Sequence, residues 1–329
     1  MILNLPLKPW CNAAWRAAAL LTAAWCLPGC SGFTGSSGGA ELYGPFSVPP
    51  RQIMFTNIAP EEKNRFEDVL LGVMGYLSTG PHTKTELAEA YYAASVASNA
   101  LNLNNAEQSF TIAALSEKPD FGEAFASLAN IRSMQGSYNE AIDSYGAALE
   151  LDSNLEYSYF NRGLTLYYAG RFSAALQDLK SFYIRDPLQP YRMLWLYYVE
   201  RELSGVEEAK VKLKKRLEHA EKTNPNREWG YNLVRYTLGE MTEDELLENV
   251  ALYRHNQKDF SEHLCEAYFY IGKMQLLLGK DKLGYDYMSL CQATNVTYFL
   301  EVGFAELEQR LLEYRYGLRP DKLLVHSNS

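Results

Sequence analysis

The residues that could do chemistry are few and scattered. The five histidines, His82, His219, His255, His263 and His326, include no pair at the i, i+4 spacing of a zinc-binding helix. The densest set of ligand types is Glu262-His263-x-Cys265-Glu266. On a helix its members fall on different faces, so the spacing predicts a surface histidine and a core cysteine rather than a metal site. Gly279-Lys280 follows a helical pattern, not a strand, and lacks the context of a phosphate-cradling loop. Gly35-Ser36-Ser37-Gly38 lies in a Gly/Ser-rich run, where no strand-turn-helix could aim a nucleophile. Asn295-Val296-Thr297 matches a glycosylation acceptor in spelling alone. No catalytic residue, cofactor or metal is expected.

Cysteine says more. Three of the five cysteines, Cys11, Cys26 and Cys30, lie within the first thirty residues. Lys8 and Arg16 precede a short apolar run, Ala17 to Trp25, far too short to cross ~30 Å of hydrocarbon. The run ends in Leu27-Pro28-Gly29-Cys30, which resembles the bacterial lipobox. Gly29 supplies the small residue before the cut, and Cys30 the thiol that takes the diacylglyceryl group. In that sorting pattern an Asp after the cysteine retains a lipoprotein at the inner membrane. Ser31 stands there, so the resemblance implies the outer membrane, facing the periplasm, with lipid held through Cys30 at ~0.8 kcal/mol per buried CH₂. Cys265 and Cys291 fall in the two helices of one repeat. They either bridge in an oxidising compartment or serve as small buried apolar groups.

These readings divide the chain into a signal peptide (1–29), a lipidated cysteine with a flexible tether (30–55), a helical domain (56–320) and a disordered tail (321–329). Gly, Ser and Pro dominate the tether, which should reach ~25 Å. Removing the signal leaves 29 basic against 40 acidic side chains, a net charge of −11. That sign argues against nucleic acid, which needs clustered Lys and Arg. The one basic run, Lys210 to Arg216, reads as a solvated helix face. Hydrophobic residues make up 47%, enough for a sizeable core, and the 24 tyrosines suit half-buried helix faces.

A repeat organises the helical domain. A small residue is followed seven places later by Gly and five after that by a second small residue: Ala129–Gly136–Ala141, Gly163–Gly170–Ala175 and Gly272–Gly279–Gly284, with Ala94–Leu101–Ala106 as a degenerate copy. Two small residues let antiparallel helices approach closely, and the Gly fits the left-handed end of the first helix. This is the tetratricopeptide pattern. Tyr191–Leu203 with Val206–Ala220, and Glu228–Leu238 with Thr242–Tyr253, read as degenerate pairs, Thr242 and Glu245 forming a capping box. The fold class is therefore all-α: a tetratricopeptide-type helix-hairpin solenoid with an N-terminal helix (Pro60–Leu77) and a C-terminal capping helix (Thr297–Tyr316).

First helices usually line the inner groove of such a stack. The positions expected to face it are Tyr157, Phe160, Leu164, Tyr167 and Tyr168, with Asn130 and Met134 one repeat earlier. Of the Lys and Asn set that clamps a C-terminal carboxylate in some such proteins, Asn130 alone is present. An apolar, aromatic groove suited to a helix or an extended peptide is expected.

Particular residues extend the resemblance. FNRGLTLYYAGRFSAALQDLKSFYIRDP (160–187), Arg192, Leu194 to Tyr197, Glu228-Trp229-Gly230-Tyr231-Asn232, Tyr236, Leu238-Gly239, Ser261-Glu262-His263-Leu264 and Tyr268 to Gly272 resemble the lipoprotein NlpI family of Gram-negative bacteria over roughly residues 85–312. The resemblance implies an all-helical homodimer at the inner face of the outer membrane. It implies an adaptor that docks a periplasmic tail-specific protease, presents a murein endopeptidase and other peptidoglycan hydrolases to it, and so regulates cell-wall turnover and division. A pilotin-like lipoprotein assisting secretin or pilus assembly is the alternative. A peptidoglycan hydrolase is the third reading.

Overall fold

The computed structural model describes residues 53–224 and 229–318. Among them are fourteen helices and no strand. The signal peptide, Cys30, Ser31, most of the tether, Glu228 and the tail 321–329 lie outside the described residues. No helix among those described is long and apolar enough to cross a membrane.

Helix α1 (Pro60–Leu77) opens the array with Pro in its first turn, where the missing N–H costs nothing. Four hairpins follow: α2 (Lys84–Ala100) with α3 (Asn104–Glu117), α4 (Gly122–Met134) with α5 (Tyr138–Leu151), α6 (Glu156–Tyr168) with α7 (Phe172–Tyr183), and α8 (Pro190–Ser204) with α9 (Val206–Thr223). Two short helices, α10 (Gly230–Leu238) and α11 (Glu243–Ala251), lead to the long last hairpin, α12 (Gln257–Leu277) with α13 (Asp281–Ala293). Helix α14 (Leu300–Arg315) is the last of the described helices. Capping boxes start α2 (Thr83 with Glu86) and α11 (Thr242 with Glu245), each closing two orphan backbone donors.

The three strong triplets sit where the pattern puts them. Ala129 and Ala141 are fully buried against each other's helices. A Cβ added to Gly163 would come within 2.8 Å of Leu179, so nothing larger fits without repacking. Gly136 ends α4 at φ 81°, and the next N–H, of Ser137, reaches back to the Arg132 carbonyl at 2.9 Å. The same bond recurs after α6 (Arg171 to Leu166) and α12 (Lys280 to Gln275). The degenerate copy is shifted by one residue from its expected register. Asn102, not Leu101, holds the left-handed position at φ 57°, and Leu103 makes the backward bond to Ser98. Asn replaces Gly there because its short polar side chain tolerates that conformation. The matching interior positions are then Ser95, bonded to Thr111 at 2.6 Å, and Glu107.

One large core runs from α6 to α14, dense in Trp, Tyr and Phe. At α1–α5 the core is thin and rich in alanine, in three small clusters. First helices touch in series (α2 to α4 to α6, then α8 to α10 to α12 to α14) and build a shared inner face. The first described segments also meet later ones. Tyr268 Oη bonds both the N–H and the carbonyl of Met54, at 2.7 and 2.9 Å, Lys258 pairs with Glu62, and Thr297 bonds the Ala100 carbonyl.

Candidate functional site

Helix α14 lies along the inner face and covers its apolar part. Phe304 stacks on Tyr168 (5.4 Å) and packs against Trp195 of α8 (5.5 Å). Glu308 accepts from the Tyr168 hydroxyl at 2.9 Å and pairs with Lys273 of α12. Lys273 is 3% exposed, and its ammonium sits 4.9 Å from the Tyr167 ring. Burial would push that ammonium down, but the Glu308 carboxylate outweighs it and holds it at about 12. Arg310 donates to the Met134 carbonyl. Besides closing the array's C-terminal end, α14 therefore reaches across to α4 and α6.

That placement decides the state of the expected groove residues. Phe160, Leu164 and Tyr167 are buried, at 2, 0 and 9% exposure. Phe160 stacks on Phe182 of the second helix (4.7 Å), and Tyr168 is engaged by α14. Met134 is half-buried, lying beside Gly303 of α14. Tyr157 is 37% exposed at the start of α6. These rings pack the protein against itself in this conformation. Of the seven, Asn130 and Met134 line an open recess.

That recess has a cavity volume of about 460 Å³ between α2–α4, the α13–α14 connection and the first half of α14. Ten of its lining residues carry side-chain amides, against three with charge (Glu107, Glu306, Arg310). The amides are placed by helix ends and turns: Asn99 and Asn102 close α2, Asn104 opens α3, Gln292 closes α13 and Asn295 follows it. At its base the Asn130 Oδ1 accepts from Asn161 Nδ2 at 3.0 Å and from the Tyr145 hydroxyl. Tyr145 is 1% exposed, and burial pushes its phenol upward. Beneath, Ser133 and Thr165 share a 2.9 Å bond between α4 and α6. Asn99 donates to Glu107 at 3.0 Å, whose carboxyl burial raises to about 7.

Sequence reasoning missed this concentration of amides. Asn99, Asn102, Asn104 and Asn105 stand close together in the chain, but turns and helix ends favour Asn anyway. Their convergence with Gln292 and Asn295 requires the fold.

Two further groups contain residues that the sequence singles out. His263 is not a surface residue: its ring stacks on Trp229 (4.6 Å) against Tyr253, and burial pulls it down to about 4. Cys265 and Cys291 are fully buried free thiols with Sγ atoms 3.6 Å apart. Among the described residues no group of three His, Cys, Asp or Glu could hold a metal ion.

Comparison with known proteins agrees with this architecture. A TPR repeat model matches residues 129–170. The solved structure of the Rap conjugation gene regulator of plasmid pLS20, in complex with the Phr* peptide, is similar over 77% of this chain and 72% of its own, at 16% identity and a TM-score of 0.51. The fold is a tetratricopeptide solenoid. Other tetratricopeptide-type matches are more partial. MamA is 18% identical over 50% of this chain and 93% of its own (TM-score 0.42). PilF of Pseudomonas aeruginosa is 17% identical over 70% of this chain and 99% of its own (TM-score 0.40). In tetratricopeptide terms, the site here is the inner face, partly filled by α14 and partly open.

Proposed function

We propose that this chain is a non-enzymatic adaptor of cell-wall turnover, anchored to the outer membrane through Cys30 and facing the periplasm. It acts as a homodimer that brings a tail-specific protease together with a murein endopeptidase and other peptidoglycan hydrolases. One observation carries the binding role: a tetratricopeptide inner face that keeps a 460 Å³ recess of amide side chains open to partners. The regulator of similar fold was solved with a peptide bound. The cell-wall assignment rests on the sequence resemblance between residues 85 and 312 and on the lipobox.

The test is affinity capture from the native bacterium after crosslinking, with co-purifying proteins identified by mass spectrometry. A tail-specific protease and murein hydrolases are expected. Recovery of secretin or pilus components instead would overturn the cell-wall reading, and clearing of a peptidoglycan gel by the purified chain would overturn the non-enzymatic one. Cys30→Ser should yield soluble periplasmic protein. Labelled palmitate entering that variant would remove the anchor, and a monomer mass by light scattering at micromolar concentration would remove the homodimer.

A further inference from the structure

We propose that Cys265 and Cys291 are a disulfide-forming pair that bonds while the chain folds in an oxidising compartment. The inference rests on the periplasmic part of the reading above. The register of the last hairpin sets the two residues opposite each other. Gly272 of α12 faces Gly284 of α13, and a Cβ built on either would stand within 3.3 Å of the other's carbonyl oxygen. Cys265 lies seven residues before Gly272 and Cys291 seven after Gly284, about two turns along each antiparallel partner. The two sulfurs therefore meet at the same level of the hairpin, 3.6 Å apart, with both side chains fully buried. A disulfide is about 2.05 Å long, so the sulfurs draw together by ~1.5 Å between helices that glycine already holds close.

The pair also sits where a cross-link has most to hold. The turn at Gly279 closes one end of the hairpin. The thiols lie toward the other end, between Lys258, which pairs with Glu62, and Tyr268, which bonds Met54. The connection from α13 to α14 is tied to α12 there too, by the Tyr298 hydroxyl on Glu262 at 2.8 Å. Burial sets the timing. Thiol–disulfide exchange needs a thiolate and an open path, and burial together with the neighbouring thiol raises the Cys291 thiol well above its ordinary value. The bond therefore closes after α12 and α13 have paired and before the rest of the fold shuts the thiols in. One thiolate attacks the disulfide of a thiol–disulfide oxidoreductase, giving a mixed disulfide and releasing one thiol of that enzyme. The second thiolate attacks the mixed disulfide at the sulfur of this chain. The chain gives up two protons and two electrons, and the oxidoreductase leaves as a dithiol. A chain that folds in reductant keeps its thiols free behind the same packing, so the state set at folding persists.

The test uses the full chain, unfolded in urea with reductant and then refolded with either oxidised or reduced glutathione. Acid quenching, alkylation in urea and non-reducing peptide mapping read the cysteines. Refolding in oxidised glutathione should give the Cys265–Cys291 linked peptide as the main product. Chain folded in reduced glutathione and then moved to oxidised glutathione should close the bond more than about a hundredfold more slowly than refolding chain. The linked form should melt about 5–10 °C above the reduced one, and Cys291→Ala should melt alike with and without reductant. Glutathione left on both cysteines without the linked peptide, or equal melting of linked and reduced chain, would overturn the pairing. Closure as fast in folded as in refolding chain would overturn the timing. The same mapping is then applied to chain trapped directly from the native bacterium. The linked peptide is expected in the cell-envelope fraction, and free thiols there would overturn the proposal. Chain found in the cytosol with free thiols would instead sink the periplasmic reading and leave the pair to stand or fall on the refolding result.

Discussion

The inner face divides into two regions of opposite character. From α6 to α12 it is aromatic and covered: Trp195, Tyr167 and Tyr168 lie under α14, in a continuous core. From α2 to α4 it is polar and open, over a core built largely from alanine. The contrast has a physical cause. A contiguous apolar patch is costly to leave in water, so it must find a cover, and here the chain supplies one. Amides are satisfied by water until a partner arrives, so the polar half can stand open without cost. Aromatic lining in a repeat groove is therefore a poor guide to where a partner docks when the same chain carries a spare amphipathic helix.

This division predicts a steep gradient of mutational effects. The largest belongs to the covered half. Glu308→Leu strands the Lys273 ammonium at 3% exposure and should cost ~3–5 kcal/mol in urea unfolding. The double variant with Lys273→Met should regain most of it, and failure to do so would mean the charge pair is not what seats α14. Phe304→Ala removes a ring 4% exposed and should cost ~3 kcal/mol. It should also raise dye binding to exposed apolar surface, and unchanged dye fluorescence would show the aromatic face still covered.

A pH effect of intermediate size tests the first turn of α14. Glu266 accepts from Trp229 Nε1 at 2.6 Å, and burial, with the nearby Glu301 carboxylate, raises it to about 8 from an ordinary 4.5. The folded protein keeps a proton that the unfolded chain has lost between those values. Stability from this group is thus fully present below about pH 4.5 and is lost as the pH rises toward 8. Glu266→Gln should flatten that slope and add ~1–3 kcal/mol at pH 8, read from unfolding midpoints at pH 5 and pH 8. An unchanged slope would place the proton elsewhere. The smallest effect belongs to the open half: Asn161→Ala should cost no more than ~1 kcal/mol, since water can replace its bond to Asn130. A loss as large as that of Glu308→Leu would erase the distinction between the halves.

How far the sequence could be read follows the same division. The three Gly-centred triplets were legible because Gly136 and its counterparts answer to local backbone geometry and close helix approach, which leave fixed spacings. The register of the first hairpin was missed by one residue because Asn102 does Gly's work without Gly's signature. Helix α14 was legible as an element and by its place after the last hairpin. Its reach to Tyr168 was not, since Glu308 lies 140 residues away and no spacing encodes that pairing. Phe160 and Tyr167 follow the periodicity of an inner face, but periodicity says which side a ring takes, not what lies over it. Asn161 sits inside the stretch that matches the repeat, yet its value depends on Tyr145 and Asn130 in the neighbouring hairpin.

The clasp between the first described segment and α12 bears on how the protein comes apart. Helical arrays usually behave as one-dimensional stacks, in which terminal repeats fray first and loss spreads inward. Here Tyr268 grips the backbone of Met54, Lys258 holds Glu62, and α14 bridges α4, α6 and α12. Fraying of the first described segment must break bonds to α12, and fraying of α14 must break bonds to α4, α6 and α12. Melting should then be a single cooperative event in which amide exchange slows alike at α1 and α14, and deleting residues 53–59 should loosen the C-terminal helices more than the middle ones.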